Sequence, residues 1–254
     1  SVGILIVGLI MLYFTFTVKN KVLIGYADRV EGKKGKVHKA SSGGFGVSVF
    51  FKYPYILGIF GMIFFWEIVN VIFNYMRLGV GLEGSDDMLG FSAFLYKNAF
   101  YTHVIGFFMV IVGTASAIKI LGERISLVLV PILIGGSIIT FLYLDSASYV
   151  VAIYVFMRAV HYSFSYPVRE ALYMPTTSAI RFKTKSWIDS FGSKMAKAIG
   201  SIYIKIMQFV PASIFGVINF TFFAVIISLW TIMSFFLGRK WEETIKNNRV
   251  IGRD

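Results

Sequence analysis

The sequence predicts an all-α polytopic membrane protein, and three observations carry this prediction. Of the 254 residues, 57% are hydrophobic and 15% are charged, whereas soluble domains are nearer half apolar and a quarter charged. The apolar residues gather in segments of about 20 residues, the length of a membrane-spanning helix. The basic residues favour alternate loops between these segments. This composition excludes a water-soluble enzyme, a nucleic-acid-binding domain and a disordered chain.

Seven segments are long and apolar enough to span a bilayer. The last two are separated at Pro211, because proline removes a backbone donor and clashes with the preceding turn. The predicted spans are Val2–Val18, Tyr53–Met76, Phe100–Ile120, Ile125–Leu144, Tyr149–Tyr166, Trp187–Val210 and Ile214–Leu237.

The distribution of charge predicts the topology. If the first span ends in the cytoplasm, 19 of the 25 basic residues fall on the cytoplasmic side. The opposite side receives only Arg77 and Lys97, beside four acidic residues. Under the positive-inside rule, the loop 19–52 and the C-terminus are therefore cytoplasmic.

The segments form four units along the chain. Residues 1–18 are a transmembrane helix, 19–52 a basic cytoplasmic linker, 53–238 a six-helix C-terminal transporter half, and 239–254 a cytoplasmic tail. This order is expected around the middle of a two-times-six transporter. We expect the chain to begin partway through a longer polypeptide, so that the N-terminal half of the transporter is missing or is a separate chain.

Ionisable residues inside a span are costly, so they usually face a bundle interior or a wet cavity. Glu67, Asn70 and Asn74 share one face of the second span. The carboxylate is a candidate to pair with a cation on another helix or to contact a sugar hydroxyl. The alternative is that these groups only hydrogen-bond between helices.

A second polar face contains Tyr154, Arg158, His161, Tyr162 and Ser165. Arg158 lies in mid-span, and its planar guanidinium matches phosphate oxygens. Its alternative role is a structural ion pair with Glu67 or Asp189. His161 is a candidate proton site, although an interior histidine with satisfied hydrogen bonds is an equally good interpretation.

The sixth span carries the strongest signal, a basic stripe along about five turns. Lys183 and Lys185 extend it at the cytoplasmic entry. Several ammonium groups on one membrane helix indicate an anion with several charges. The stripe comprises Asp189, Ser193, Lys194, Lys197, Ser201, Lys205 and Gln208.

The sequence predicts no enzyme, no metal and no cofactor. It contains no cysteine and three scattered histidines, and it contains no phosphate-binding loop motif and no nucleophile–His–acid set. Any nucleotide would therefore be held by side chains in a cavity.

The stretch Tyr166–Ser201, YPVREALYMPTTSAIRFKTKSWIDSFGSKMAKAIGS, resembles the C-terminal signature of the nucleotide transporter family, the ATP/ADP antiporters of plastids and obligate intracellular bacteria. The family run Pro-x-[KR]-Glu-x-x-Tyr-x-Pro leads into Lys-x-Lys-x-x-x-Asp and a later Lys. His161, Tyr166 and Trp187 depart from the residues usual in the family. The matching positions are Pro167, Arg169, Glu170, Tyr173, Pro175, Lys183, Lys185, Asp189 and Lys197.

The resemblance implies a major facilitator-like half-bundle of about seven transmembrane helices, corresponding to helices six to twelve of a twelve-helix transporter. It implies a multi-pass protein of an inner or plasma membrane, or of a plastid or endosymbiont envelope. It also implies roles in transport for Glu67, Lys183 and Lys185.

The leading hypothesis is therefore a membrane transporter that exchanges ATP for ADP, with phosphate as a further solute, by alternating access. The predicted substrate-binding residues are Glu67, Asn70, Arg158, Lys183, Lys185, Asp189, Lys194 and Lys197, with Asn74, Tyr154, His161 and Ser201 as secondary candidates. One alternative is a proton- or cation-coupled transporter of another nucleotide or organic phosphate. A second alternative is a non-transporting membrane scaffold.

Overall fold

The described part of the chain is almost wholly helical. The computed structural model describes residues 52–144, 146–247 and 249–251, with the backbone alone at 112–117, 143–144, 147, 178–179, 183 and 212. An isolated β-bridge joins Thr176 to Ile251. The predicted helix 1–18 and the linker 19–52, apart from Lys52, lie outside these residues.

Seven α-helices and two π-helical turns follow one another through the described residues. They are α1 Pro54–Glu83, α2 Met88–Leu144, α3 Ala147–Val160, the π turn His161–Ser165, α4 Tyr166–Leu172, α5 Ser178–Trp187, the π turn Ile188–Gly192, α6 Ser193–Met207 and α7 Ala212–Lys246.

Four helical segments in the described ranges are long and apolar enough to cross a membrane. They are Pro54–Glu83, Met88–Ile111, Ile118–Leu142 and Ser213–Lys246. Each contains or overlaps a predicted span. The chain is therefore an all-α membrane protein.

The other two predicted spans, Tyr149–Tyr166 and Trp187–Val210, fall on helical runs that π turns interrupt. The first run is α3 to α4, and the second is α5 to α6. No separate helix in either run exceeds 15 residues. π-Turns inside helices are rare and are frequent at functional sites.

The predicted break near residue 122 takes the form of a single glycine within α2. Gly122 has a φ of 76°, in the left-handed region that other L-residues avoid. It lies between the two predicted spans that end at Ile120 and begin at Ile125, and within the segment Ile118–Leu142 that the structure shows to be of membrane length.

The last helix extends beyond its predicted end at Leu237. α7 continues to Lys246, because pairs of opposite charges one turn apart support a polar helix. Arg239 Nε lies 3.2 Å from Glu243, and Lys246 Nζ lies 2.8 Å from Glu242. The predicted tail thus begins as a helix.

α1 has a central position in the bundle. It packs against α3, α6 and α7, while α2 packs against α3 and α7. Its Ile56, Ile59, Val69 and Phe73 are fully buried, as is Leu127 of α2. The burial of one apolar face of α1 fixes which of its polar residues remain accessible.

Contacts between α1, α2, α4 and α7 define one end of the bundle. There the Tyr55 hydroxyl donates a 2.6 Å hydrogen bond to Leu172 O, and Trp241 Nε1 donates to Ala171 O at 3.2 Å. Arg124 of α2 lies 3.6 Å from Glu242 of α7. The start of α1, the end of α4 and the end of α7 therefore meet at this end.

Candidate functional site

Glu67 is the centre of the best-defined polar cluster. It lies near the middle of α1, and its side chain is 17% exposed. Asn70 Nδ2 donates to Glu67 Oε2 at 3.5 Å from one turn further along the helix. A carboxylate in this position needs partners from another helix, because burial of a lone charge is costly.

α6 supplies those partners. Ser193 Oγ donates a 2.9 Å hydrogen bond to Glu67 Oε1, and Lys197 Nζ lies 3.8 Å from Glu67 Oε2. The sequence predicted that Glu67 could pair with a cation on another helix, and the structure shows that this cation is Lys197. The lysine side chain is 52% exposed, so the cation remains accessible while it is paired.

Small residues allow α6 to approach α1 this closely. Gly192, Ala196 and Gly200 recur every fourth residue and are buried. A Cβ on Gly200 would lie 3.2 Å from Val71 Cγ1 and 3.3 Å from Ile68 O. This is the small-residue spacing that brings membrane helices together, and it positions Ser193 and Lys197 at Glu67.

The predicted basic stripe lies beside this small-residue face on the same helical run, and its members Ser193, Lys197 and Gln208 contact α1. Ser201 Oγ donates to Lys197 O at 2.9 Å, within its own helix. Gln208 Nε2 donates to the Tyr75 hydroxyl of α1 at 3.1 Å. The exposed members of the stripe are Asp189, Lys194, Lys197, Ser201, Lys205 and Gln208.

Arg158 belongs to a different cluster and does not pair with Glu67 or Asp189 in the structure. Its Nη2 donates to the Tyr162 hydroxyl, and its guanidinium lies 4.7 Å from the centroid of the Tyr162 ring. The same guanidinium lies 6.0 Å from the centroid of the Tyr154 ring. The predicted structural ion pair is therefore replaced by aromatic contacts.

Arg77 is a residue of this second cluster that the sequence analysis assigned to a loop. Its guanidinium lies 4.3 Å from the centroid of the Tyr154 ring, and its Nη2 donates to Asn74 Oδ1 at 2.9 Å. Glu67, Asn70, Asn74 and Arg77 follow one another at steps of three and four residues. The same spacing, continued beyond Met76, leads to Arg77.

His161 lies inside the bundle, at the start of a π turn. It is 9% exposed. Its ring stacks on Trp66 at 4.0 Å between centroids, with an interplanar angle of 2°. Its Nδ1 has no hydrogen-bond partner among the described residues. The stacking indicates a packing role for His161, but the satisfied hydrogen bonds of the structural interpretation are not found at Nδ1 within the described part of the chain.

Lys185 is paired at the other end of the bundle. Its Nζ lies 2.7 and 2.8 Å from the two carboxylate oxygens of Glu170 and 5.9 Å from the centroid of the Tyr173 ring. Burial raises the pKa of the Tyr173 hydroxyl, which therefore stays protonated. Lys183 lies on α5, and its side chain is outside those described.

The Glu67 cluster is partly buried, and it lies outside three large cavities of the bundle. Cavities of about 1080, 570 and 390 Å³ lie elsewhere, and Glu67 and Lys197 line none of them. The first opens between the start of α1 and the end of α7. Within the described ranges, no group of three His, Asp or Glu side chains has a geometry that could hold a metal ion.

Comparison of the chain with protein-family models and with solved structures does not identify a family. No protein-family model matches the chain. No solved structure matches it either. The interpretation of the two clusters therefore depends on their geometry and on the sequence.

Proposed function

We propose that the chain is the C-terminal half of a membrane transporter that exchanges ATP for ADP, with phosphate as a further solute, by alternating access. The observation that carries the proposal is the pair of Glu67 and Lys197 near the middle of α1 and of the α5–α6 run. An accessible ammonium within an apolar bundle is costly to maintain, and binding of an anionic solute gives a reason for it.

The fold in this proposal is a major facilitator-like half-bundle, helices six to twelve of a twelve-helix transporter. In this proposal the four membrane-length segments and the two runs with π turns are six of the helices, and the helix predicted from the sequence at 1–18 is the seventh. The bundle end with Lys52, Arg124 and Lys240 faces the cytoplasm, since basic loops remain on that side. The exposed basic stripe then faces the first half of the transporter.

The Glu67 cluster offers a way for the solute to change the protein. A phosphate group that approaches Lys197 competes with Glu67 for the same ammonium. The carboxylate keeps its hydrogen bonds from Ser193 and Asn70 when Lys197 leaves, so it need not be left without partners. Binding of phosphate would thus remove one contact between α1 and α6, and a contact made in only one state biases the equilibrium between two states.

The pair of Lys185 and Glu170 offers a second lysine, at the cytoplasmic end, at which a phosphate group can replace a carboxylate. The carboxylate contacts Nζ through both of its oxygens, as two phosphate oxygens would. Lys183 precedes Lys185 by two residues on α5 and adds charge at this entry. In the proposal, phosphate groups meet this end before they reach Lys197.

Uptake of labelled ATP into lipid vesicles that contain the intact protein tests the proposal. Uptake should require ADP or ATP inside the vesicles. The variant Lys197→Gln should lower it by about tenfold or more, because a hydrogen bond to a charged group is worth about 1.5–3 kcal/mol. Lys246→Gln is the matched control, since Lys246 is also paired with a glutamate, at 2.8 Å on α7, and it should leave uptake unchanged.

The same assay separates the rival functions. Uptake that needs no internal nucleotide and follows a proton or cation gradient would replace exchange with ion-coupled transport, in which Glu67 is the coupling group. No flux of any nucleotide or organic phosphate would favour the membrane scaffold. Equal uptake by the wild type and Lys197→Gln would contradict the role of the Glu67–Lys197 pair.

A further inference from the structure

Arg77 and Arg158 form a pair of cations on neighbouring helices. The two guanidinium groups share the Tyr154 ring, at 4.3 and 6.0 Å from its centroid. Arg77 comes from α1 and Arg158 from α3. Like charges repel, so two guanidinium groups beside one ring need a compensating group.

No carboxylate supplies that compensation within residues 52–144, 146–247 and 249–251. The ion pairs found there use other cations. Glu67, the acidic residue on the same face of α1 as Arg77, precedes it by ten residues, about 15 Å along the helix. The pair therefore lacks an anion from this part of the chain.

Both guanidinium groups keep donors for a ligand. Arginine has five N–H donors. In Arg77 one nitrogen donates to Asn74 Oδ1, and the buried Nε has no partner in the described residues. In Arg158 one nitrogen donates to the Tyr162 hydroxyl. These contacts orient the two groups and occupy one terminal nitrogen of each, so that the other terminal nitrogen of each guanidinium has no hydrogen bond within the described residues.

We propose that Arg77 and Arg158 form a binding site for a phosphate-type oxyanion, separate from Lys197. Two planar donor forks match the several oxygens of a phosphate better than ammonium groups do. Tyr162, 47% exposed, lies beside Arg158 and holds it in place. The site gives a role to Arg77, which the sequence analysis places with Lys97 on the side that is poor in basic residues.

The position of the site suggests its use. Arg77 lies about 9 Å from the end of α1 at Glu83 and about 15 Å from Glu67 along the same helix face. Asn70 and Asn74 lie between them on that face. An oxyanion that enters from this end of the bundle, opposite Lys185, meets Arg77 and Arg158 before it passes along α1 to Lys197. This passage rests on the proposed function, whereas oxyanion binding by the arginine pair does not.

Binding of pyrophosphate to the purified full chain, in nanodiscs of neutral lipid, tests the site by equilibrium titration. Arg77→Gln and Arg158→Gln should each weaken binding by about tenfold to a hundredfold. Arg77→Lys keeps the charge without the planar fork, so it should weaken binding less than Arg77→Gln. Arg124→Gln is the matched control, because Arg124 also lies over an aromatic ring, 4.7 Å from the Phe235 centroid, but is paired with Glu242.

Two results would overturn the site. The first is pyrophosphate affinity in Arg77→Gln and Arg158→Gln equal to that of the wild type. The second result concerns nanodiscs that contain phosphatidylglycerol. If the two variants bind less of this anionic lipid than the wild type does, while their pyrophosphate affinity is unchanged, the arginines bind a lipid phosphate instead. Pyrophosphate binding that depends on both arginines supports the site even where labelled ATP is not exchanged, so the two proposals fail separately.

Discussion

The variant Glu67→Gln gives the sharpest prediction about the central cluster. It replaces a carboxylate by a neutral group of almost the same shape, which still accepts a hydrogen bond from Ser193. Lys197 Nζ, 3.8 Å from Glu67 Oε2, then loses its ionic partner. In the proposed mechanism a phosphate group and Glu67 compete for Lys197, so the change should affect the two states of the transporter differently.

The magnitude follows from the geometry. Two unit charges 3.8 Å apart attract by about 4 kcal/mol at an effective dielectric constant near 20. The lysine side chain is 52% exposed, and ion pairs screened by solvent are worth only about 0.2–1 kcal/mol. We take about 1 kcal/mol, which corresponds to a factor of about five in an equilibrium constant.

The rate of ATP exchange should therefore fall more than the equilibrium affinity for ATP. A solute shifts a conformational equilibrium only by its difference in affinity for the two states. Without Glu67 that difference falls by about fivefold, so exchange at saturating ATP should slow by about fivefold. Equilibrium affinity for ATP should stay the same or rise by up to about fivefold, because the competing carboxylate is gone.

Counterflow of labelled ATP in vesicles and equilibrium titration of ATP measure the two quantities. Glu243→Gln is the matched control, since Glu243 also lies in exposed pairs, 3.2 Å from Arg239 and 3.7 Å from Lys240. The control should change neither quantity. A wild-type exchange rate in Glu67→Gln would refute the competition, as would an equal loss of binding and exchange.

Three further predictions concern the structure that supports the site. Gly200→Val should lower the thermal unfolding midpoint in detergent, because its Cβ would meet α1, at a cost of about 1–3 kcal/mol. Gly216→Val, with nothing within 4 Å of the added Cβ, should not lower it. Gly122→Ala should lower the free energy of unfolding by about 1–2 kcal/mol, because residue 122 has a φ of 76°. Gly79→Ala is the control, since Gly79 has open space around it and no positive φ. Equal denaturant midpoints for the two variants would contradict this reason. A protease added on the cytoplasmic side should cleave within 19–52 and leave the spans intact, and cleavage from the opposite side alone would overturn the topology.

Local patterns in the sequence predicted much of the fold. Runs of apolar residues about 20 long correctly placed Tyr53–Met76 and Ile214–Leu237 in membrane-length helices, because a bilayer imposes length and hydropathy on each span separately. The pairing of Glu67 with a lysine of the basic stripe was also predictable. A carboxylate and several ammonium groups in neighbouring spans have few other partners.

Other features depend on tertiary packing and left weaker signals. Each of the two π turns contains one more residue than an α-helical turn, and no periodicity in the sequence predicts them. The stacking of His161 on Trp66 depends on how α1 meets α3. Arg77 was missed for a different reason. The predicted span ended at Met76, although the apolar residues that follow extend α1 to Glu83.

A structure of the intact protein with ATP bound tests the central claim most directly, through the distance between Lys197 Nζ and Glu67 Oε2. In the present structure this distance is 3.8 Å. With ATP bound, a phosphate oxygen should lie within hydrogen-bond distance of Lys197 Nζ, while Glu67 has left the lysine and keeps its hydrogen bond from Ser193. ATP bound with the Glu67–Lys197 pair intact, or with no phosphate oxygen near Lys197, would contradict the proposed exchange of partners.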